Sequence, residues 1–340
     1  MNIFVDFHHT ALYYSLYLLL EQRLGHTLWR PVGLDWHKEG YFKQIDLCTN
    51  DSQREEKLAE YLLPNTPIPY SPSDCNSEIQ SITPQGNLLF PSGGVPVYQR
   101  ALTFEQFKNN KIDLIIASFL WNIEPFTELS RKYQNNIPVI VHVGNEWDLN
   151  QFQDYHVMAS VKPQPYKSKS IVFYKQEFDL DIFSYNYTPD SDMICSFVHN
   201  LSGSDRRDCI EFSNYLNVKL YGKYNPDGCI TNVRDISNIM RNCKFGLHLK
   251  QQEDAYGHVI HNWFACGKPV IYRGSQYKNR LAGKMLQHMV TGIDLDLISL
   301  DKCVEIIKSI SVEEYKTMCD NVISVFNKEV DFNKKIGEGT

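Results

Sequence analysis

The sequence lacks the features that mark several large classes of protein. It has no basic excess, because 34 lysines and arginines stand against 40 aspartates and glutamates, and basic side chains supply most of the affinity for nucleic-acid phosphate. It has no apolar stretch long enough to span a bilayer. Its first residues lack the basic and long apolar regions of a secretory signal. We therefore expect a globular cytoplasmic protein without an integral membrane segment.

Two further motifs are missing. The nine cysteines are scattered, with no C-x-x-C pair and no histidine at zinc spacing, so we expect reduced thiols and no metal site. No G-x-G-x-x-G motif follows a predicted strand, which argues against a dinucleotide-dependent oxidoreductase. No cofactor is therefore predicted.

The 340 residues predict about two domains, at roughly 150 residues for each domain. An apolar run at residues 3–7 is followed by leucines and tyrosines at helical spacing, and a second strand is predicted from His26 to Arg30. Thr10 is predicted to cap the helix and Gly25 to end it. Strand, helix and strand over about thirty residues form the βαβ unit of a parallel sheet.

The rest of the chain continues this alternation after an interruption. Residues 48–100 are polar and rich in proline, and we predict that they are mostly loop. Strands are predicted at 112–119, 137–143, 193–199, 218–221, 245–249 and 269–272, and helices at 124–133, 205–216, 236–242, 258–265 and 312–327. Ser311 and Glu314 form a capping box before the last helix. The predicted fold class is α/β, with two successive doubly wound domains of parallel strands.

The most informative segment is 240–271. It is predicted to contain a strand, an acidic loop, Tyr256-Gly257, a helix, Gly267 and a further strand that begins at Pro269. A helix that opens at Gly257-His258 presents unpaired backbone N–H groups and the positive end of its dipole, which suits a diphosphate. Gly257 has no Cβ and lets the backbone approach a ligand closely.

This segment resembles the nucleotide-sugar site of glycosyltransferases with the GT-B fold, particularly the retaining family 4. Those enzymes have two acidic residues separated by seven positions, an aromatic-Gly pair, and then Ala-x-Gly-x-Pro-Val-Ile. The counterparts here are Asp254, Tyr256-Gly257, Asn262 and residues 265–271. The chain departs from the pattern at Asn262, where the family has a glutamate that usually hydrogen-bonds the ribose. Asparagine can still donate and accept, but it carries no charge.

The resemblance implies an architecture and a reaction. We expect two facing Rossmann-like domains, with an acceptor domain at 1–188, a donor domain at 189–310, and a terminal segment at 311–340 that crosses back to the first domain. The implied reaction is metal-independent transfer of a hexosyl or pentosyl group from a nucleoside diphosphate sugar, with retention of anomeric configuration. The turn at residues 6–9 and the compact length also resemble phage and viral glycosyltransferases, which would place the protein in the host cytoplasm.

The resemblance also assigns donor-binding residues. In the family, basic residues near the first loop of the second domain bind the pyrophosphate, and Arg206 is the candidate here because a guanidinium makes bidentate contacts to phosphate. Lys250 is a candidate second cation, and for both residues an ordinary surface charge is the alternative. His258 is placed to reach a phosphate or a sugar hydroxyl. Tyr221 is a candidate wall for the base, although a plain turn is the commoner explanation.

Three residues of the first domain are candidate catalytic groups together with Arg206. His142 ends a buried strand and is expected either to orient the acceptor or to act as a base, with a satisfied core histidine as the alternative. Glu146 lies in an acidic loop that could bind sugar hydroxyls or simply be solvated. His8 follows the first strand, at the same end as His142. Neither His8 nor the adjacent His9 shows metal-ligand spacing with a carboxylate.

The sequence leaves the acceptor open. A glycan, a small molecule and a hydroxymethylated DNA base of a phage all remain candidates. A GT-B nucleotide-binding protein with weakened or no turnover is the alternative from a different functional class, because Asn262 departs from the family pattern.

Overall fold

The computed structural model describes most of the chain as two compact units. It describes residues 1–6, 10–31, 68–69, 78–79, 81–82, 87–92, 95–102, 104–117, 120–144, 152–160, 168–198, 201, 203–222, 225–230, 233–250, 256–278 and 280–330. The first unit comprises Met1–Glu177 and the second Phe178–Lys335.

The first unit is built on a large sheet that is parallel over most of its width. Its strands are β1 (Asn2–Val5), β2 (Thr27–Pro31), β3 (Ile68–Pro69), β4 (Glu78–Ile79), β5 (Ser81–Ile82), β6 (Asn87–Ser92), β7 (Val95–Leu102), β8 (Leu114–Ala117), β9 (Val139–Val143), β10 (His156–Ala159) and β11 (Ser170–Phe173). Its helices are α1 (Thr10–Leu16), which continues as a π-helix (Tyr17–Arg23), α2 (Phe104–Asn109) and α3 (Leu120–Tyr133). The sheet order is β11-β10-β9-β8-β1-β2-β7-β6-β5, while β3 and β4 pair separately.

The predicted βαβ unit at the start of the chain is present. β1 pairs in parallel with β2 and, on its other side, with β8. Gly25 ends the helical segment with a positive φ of 68°, as predicted, whereas the side chain of Thr10 lies outside the described residues. Phe4 is buried in β1 and packs against Phe107 of α2 and Phe126 of α3, with ring centroids 4.9 and 5.6 Å apart. The central strand is thus covered by helices, as an apolar parallel strand requires.

The prediction that residues 48–100 are mostly loop is wrong at its C-terminal end. β6 and β7 form an antiparallel pair in which Pro91 lies opposite Pro96. Proline lacks a backbone N–H and normally argues against a strand, and for that reason the sequence pattern concealed this pair. β10 and β11, which extend the sheet beyond β9, were also not predicted.

The second unit is a smaller parallel sheet with helices. Its strands are β12 (Met193–Ser196), β13 (Asn217–Leu220), β14 (Phe245–Leu247), β15 (Val270–Tyr272) and β16 (Gly292–Asp294). Its helices are α4 (Gly203–Ser213), α5 (Val233–Asn242), α6 (His258–Ala265), the short α7 (Gly274–Tyr277), a 3₁₀ turn (Ala282–Lys284), α8 (Leu300–Ser309) and α9 (Val312–Glu329). The order β13-β12-β14-β15-β16 is doubly wound. The α/β fold class predicted from the sequence is therefore confirmed.

The two units divide at a point earlier than the predicted boundary at residue 188. Phe178 and Phe183 belong to the buried core of the second unit, so the segment before the first strand of that unit packs with it rather than acting as a linker. α9 begins with the predicted capping box of Ser311 and Glu314. Its buried residues join the core of the second unit. The packing of segment 311–340 on the first domain stays a prediction.

The cysteines depart from the expectation in one place. Cys195, Cys209, Cys243, Cys266, Cys303 and Cys319 are free and buried. Cys229, however, lies in a disulfide bond, so the expectation of nine reduced thiols is wrong at this residue. Spacing alone cannot reveal such a bond, because pairing depends on distances between segments far apart in sequence.

Candidate functional site

The candidate site lies at the carboxyl edge of the second sheet. β12 is flanked by β13 on one side and by β14 on the other, so the strand order reverses between β12 and β14. Ligands of doubly wound sheets bind in the crevice outside the carboxyl ends of the strands at this reversal. The described residues that flank it are 197–198 and 201, which precede α4, and 248–250 and 256–257, which precede α6.

The turn into α6 has a backbone that only glycine fits well. Gly257 has φ 75° and ψ 44°, in the left-handed region. A Cβ built on Gly257 would lie 2.3 Å from the Cβ of Ala282. Gly257 therefore meets two requirements, an unusual φ and a close approach of another segment. His258 follows as the first helical residue and is half-buried.

The first turn of α6 has no side-chain cap, because its cap residue is Gly257. The side chain of His261 contacts this turn directly. The ring Nδ1 of His261 lies 2.9 Å from the carbonyl oxygen of Gly257, and since a carbonyl only accepts, Nδ1 carries the proton and donates. His261 is fully buried, so it supports the turn from inside the core.

Asn262, the residue that departs from the family pattern, is 8% exposed. Within the described part of the chain its Oδ1 atom is buried and has no hydrogen-bond partner. A buried amide oxygen without a partner is costly, so this position is suited to accept a hydrogen bond from a ligand hydroxyl. Asp254, its predicted partner in the motif, lies outside the described residues.

Arg206 and Lys250 lie on segments that the structure joins. Arg206 is exposed on α4, and Lys250 follows β14 and is half-buried. Between them, the Gln276 side chain accepts from the backbone N–H of Lys250 at 2.8 Å and donates to the Asp205 carboxylate at 3.0 Å. Gln276 thus fixes the loop after β14 against the start of α4, on the two sides of the strand reversal.

An ion cluster extends this network along the edge. The Arg273 guanidinium, just after β15, lies 3.6 Å from Asp205 and 3.3 Å from Asp296 and also pairs with Asp208. Burial alone would raise the pKa of Asp296, but hydrogen bonds from Ser275 and Arg273 outweigh it and lower this pKa. The Asp296 carboxylate is therefore held in its ionised form, and the Arg273 guanidinium is shared among the three carboxylates.

A groove runs beside Arg206. It has a volume of about 520 Å³ and is lined by Arg206, Leu201, Ile210, Ser213, Val218, Leu220, Asn225, Pro226 and Asp227. Asn225 is held by hydrogen bonds from its Nδ2 to the carbonyl oxygens of Val198 and Tyr221, at 2.7 and 3.0 Å. The groove therefore borders the loops that follow β12 and β13.

Tyr221 follows β13 and stacks on Phe197, which follows β12, with ring centroids 5.2 Å apart. Phe197 also packs against Trp263 of α6 at 5.8 Å. Burial raises the pKa of Tyr221, so its hydroxyl stays protonated at neutral pH. This aromatic surface stands at the carboxyl ends of two adjacent strands, where a wall for the base was predicted.

His142 is held inside the first unit. It is 3% exposed, and its Nε2 lies 2.5 Å from the hydroxyl of Tyr174. Burial raises the pKa of Tyr174, although a hydrogen bond with Ser160 opposes the shift. This arrangement agrees with the core-histidine alternative. His8 and Glu146 lie outside the described residues, and the catalytic roles of all three stay predictions.

Several residues of the site were not predicted from the sequence. Gln276 and Arg273 act through contacts to residues far along the chain, and Phe197 and Phe178 have no motif around them. Arg273 and Phe197 each directly follow a strand, and this position is their only sequence signal. In the described ranges no group of three or more metal-ligating side chains is arranged to hold a metal ion. No helix among the described residues is both long enough and apolar enough to cross a bilayer.

Comparisons with known proteins bear on the fold. No known family model and no curated protein matches the sequence. Solved structures do match, over nearly the whole chain. HepE of Anabaena, solved in complex with UDP and glucose, is 11% identical, with a TM-score of 0.57 over 97% of this chain and 95% of that one.

Two further structures give a similar match. An alpha-glucosyltransferase, solved with UDP-glucose and DNA containing an abasic site, is 10% identical, with a TM-score of 0.58 over 97% of this chain and 95% of that one. A glycosyltransferase from Rickettsia africae is 12% identical, with a TM-score of 0.56 over 98% and 94%. Identities this low establish a likeness of fold. The chain therefore has the GT-B fold of these glycosyltransferases, with two Rossmann-like α/β domains.

Proposed function

We propose that this protein is a glycosyltransferase that moves a sugar from a nucleoside diphosphate sugar to an acceptor hydroxyl. The observation that carries the proposal is the likeness of fold over 97% of the chain to HepE, which was solved in complexes with UDP and with UDP-glucose. The glycine turn at the start of α6, placed at the carboxyl edge of the second sheet, supports the same conclusion.

Different residues of the second unit bind the diphosphate, the ribose and the base of the donor. The backbone N–H groups at the start of α6 hold the diphosphate, and Arg206 and Lys250 offset the charge that grows on the leaving oxygen. Asn262 accepts from a ribose hydroxyl, and Tyr221 with Phe197 forms a surface for the base. His258 reaches a phosphate or sugar hydroxyl. Asp254 completes the donor motif.

The proposed transfer needs no metal and retains the anomeric configuration, and the transferred group is a hexose or a pentose. Departure of the diphosphate is assisted by the helix dipole and by cationic side chains in place of a metal ion. Measuring turnover with and without EDTA, and assigning the anomer of the product by NMR, tests both features. An inverted product, or activity abolished by EDTA and restored by Mg²⁺, would contradict them.

A modified DNA base is the acceptor that one observation favours, since the alpha-glucosyltransferase of similar fold was solved with DNA. The formal net charge of −6 opposes binding to long DNA. To distinguish these acceptors, sugar transfer is measured to a duplex with hydroxymethylated bases, to an unmodified duplex, to a glycan mixture and to free monosaccharides. Transfer to glycans alone would exclude DNA as the acceptor.

The experiment that tests the proposal is a binding and hydrolysis screen. The protein is titrated with UDP-, GDP-, ADP- and CDP-glucose by thermal shift and calorimetry, and slow donor hydrolysis is then measured for each ligand that binds. We expect one nucleotide to raise the melting temperature and its sugar to be released. Binding without release or transfer would instead favour the non-catalytic nucleotide-binding protein, and no binding at saturation would refute the proposal.

A further inference from the structure

The start of α6 rests on a cluster of aromatic rings around Phe178. The Phe178 ring lies 4.7 Å from the His258 ring and 4.8 Å from that of His261, to which it is nearly parallel at 6°. Tyr256 completes the group at 6.1 Å from Phe178 and 4.8 Å from His261. Phe178 therefore contacts residues on both sides of Gly257.

Phe178 is itself part of the buried core of the second unit. It is 6% exposed, and Phe326 of α9 packs against it at 6.2 Å. The ring therefore has a packing partner on α9 in addition to the residues around Gly257.

The local structure of α6 makes such a support necessary. Gly257 offers no side-chain cap to the first turn, and glycine leaves the unbound backbone more freedom than other residues do. The carbonyl oxygen of Gly257 accepts a hydrogen bond from the ring of His261, and this ring is itself stacked on Phe178. The Gly257 turn is therefore in direct contact with the aromatic cluster.

We propose that Phe178 is a positioning residue for the donor diphosphate: its ring fixes the His258 imidazole and, through His261, the N–H groups of the Gly257 turn. This inference rests on the proposed function, because it assumes that the start of α6 holds the diphosphate. A preorganised turn binds more tightly, since less freedom is lost on binding.

The test compares the same substitution at two positions of one cluster. Phe178→Leu removes the ring that contacts His258, while Phe326→Leu removes a ring that packs on Phe178 from α9. UDP, GDP, ADP and CDP are titrated against the parent, and the tightest is used for both variants. We expect Phe178→Leu to weaken binding by about three- to tenfold, the worth of an aromatic pair, and Phe326→Leu to leave affinity unchanged at a similar loss of melting temperature.

A spectroscopic readout separates positioning from general loosening. In protein labelled with ¹³C at the histidine ε1 carbons, the resonance of His258 is assigned by its loss in His258→Asn. Phe178→Leu is expected to move this resonance towards that of an unstacked histidine, and Phe326→Leu to leave it in place. Phe178→Tyr keeps the ring and should retain both the resonance and the affinity. If Phe178→Leu does not fold, Phe178→Met replaces it.

The outcomes are distinct. If the parent protein binds none of the four nucleotides, both the proposed function and this inference are refuted. A parent that binds, with Phe178→Leu equal to Phe326→Leu in affinity and in the His258 resonance, overturns the positioning role alone and leaves the proposed function standing.

Discussion

Replacing Gly257 with alanine tests the geometry at the start of α6 most directly. The residue has a φ of 75°, and the new Cβ would lie 2.3 Å from the Cβ of Ala282. Two separable costs follow, one from the backbone conformation and one from the overlap. Both act on the turn that is proposed to hold the diphosphate.

The magnitude follows from these two costs. A non-glycine residue in the left-handed region costs roughly 1–2 kcal/mol. Overlap in a well-packed interior costs about 1–3 kcal/mol, since carbon atoms normally stay about 3.5–4.0 Å apart. We therefore expect Gly257→Ala to lower the free energy of unfolding by about 2–5 kcal/mol.

Gly228 provides the control for the first cost. It lies in the same unit with a φ of 77°, but a Cβ there meets nothing within 4 Å. Gly228→Ala should therefore lose only the conformational part, roughly 1–2 kcal/mol. The double variant Gly257→Ala with Ala282→Gly removes the overlapping methyl group. With the Ala282→Gly variant as the reference protein, the unfolding free energy lost on changing Gly257 to alanine should fall to the loss found for Gly228→Ala.

Urea unfolding followed by circular dichroism measures these free energies, and calorimetry with the nucleotide that binds the parent measures the effect on the site. We expect Gly257→Ala to lose nucleotide affinity and Gly228→Ala to keep it. Equal losses of stability for the two single variants, or a double variant no better than Gly257→Ala, would refute the reasoning about Ala282.

Three further predictions concern charge. Arg206→Ala should lower turnover more than donor affinity, by about 2–4 kcal/mol in the transition state, and equal losses in the Arg207→Ala control would contradict this assignment. Asn262→Glu restores the family carboxylate and should tighten or redirect ribose recognition, so unchanged donor affinity and preference would show that this position does not face the ribose. Burial lowers the pKa of Lys268 to about 8. Above that pH the unfolded chain binds more protons, so the unfolding free energy of the parent should rise from pH 8 to 10 relative to Lys268→Met, and a fall would contradict the shift.

Much of the fold could be predicted because its strand–helix–strand elements form between neighbouring segments of the sequence. The alternation of apolar runs and helical spacing around Gly25, and from residue 193 onward, depends on neighbours within about thirty residues. β6 and β7 could not be predicted in this way, because Pro91 and Pro96 contradict the strand pattern and only their mutual pairing explains them. The division at Phe178 was missed for a similar reason, since its packing partners lie far along the chain.

The residues of the candidate site likewise divide into a contiguous group that could be predicted and a group joined by long-range contacts that could not. Tyr256, Gly257 and His258 are contiguous, so a motif could place them on one turn. The bridge from Gln276 to Asp205 and Lys250 joins residues 71 and 26 positions apart, and no spacing rule predicts it. His142 gives a further example, since its Nε2 lies 2.5 Å from the hydroxyl of Tyr174, and the strand pattern around the histidine does not predict this contact.

The charges at this edge also indicate which interactions matter most for a diphosphate. Arg273 is shared by Asp205, Asp208 and Asp296, so the cluster itself carries an excess of negative charge, which repels an anion. Arg206 and Lys250 offset that excess only in part, because exposed charges are strongly screened by water and salt. Backbone N–H groups at a helix start are directional and keep no counter-charge of their own. Affinity for the diphosphate should therefore depend more on the shape of the Gly257 turn than on the count of basic residues, which is why Gly257 and Phe178 are the positions where small changes should have the largest effects on binding.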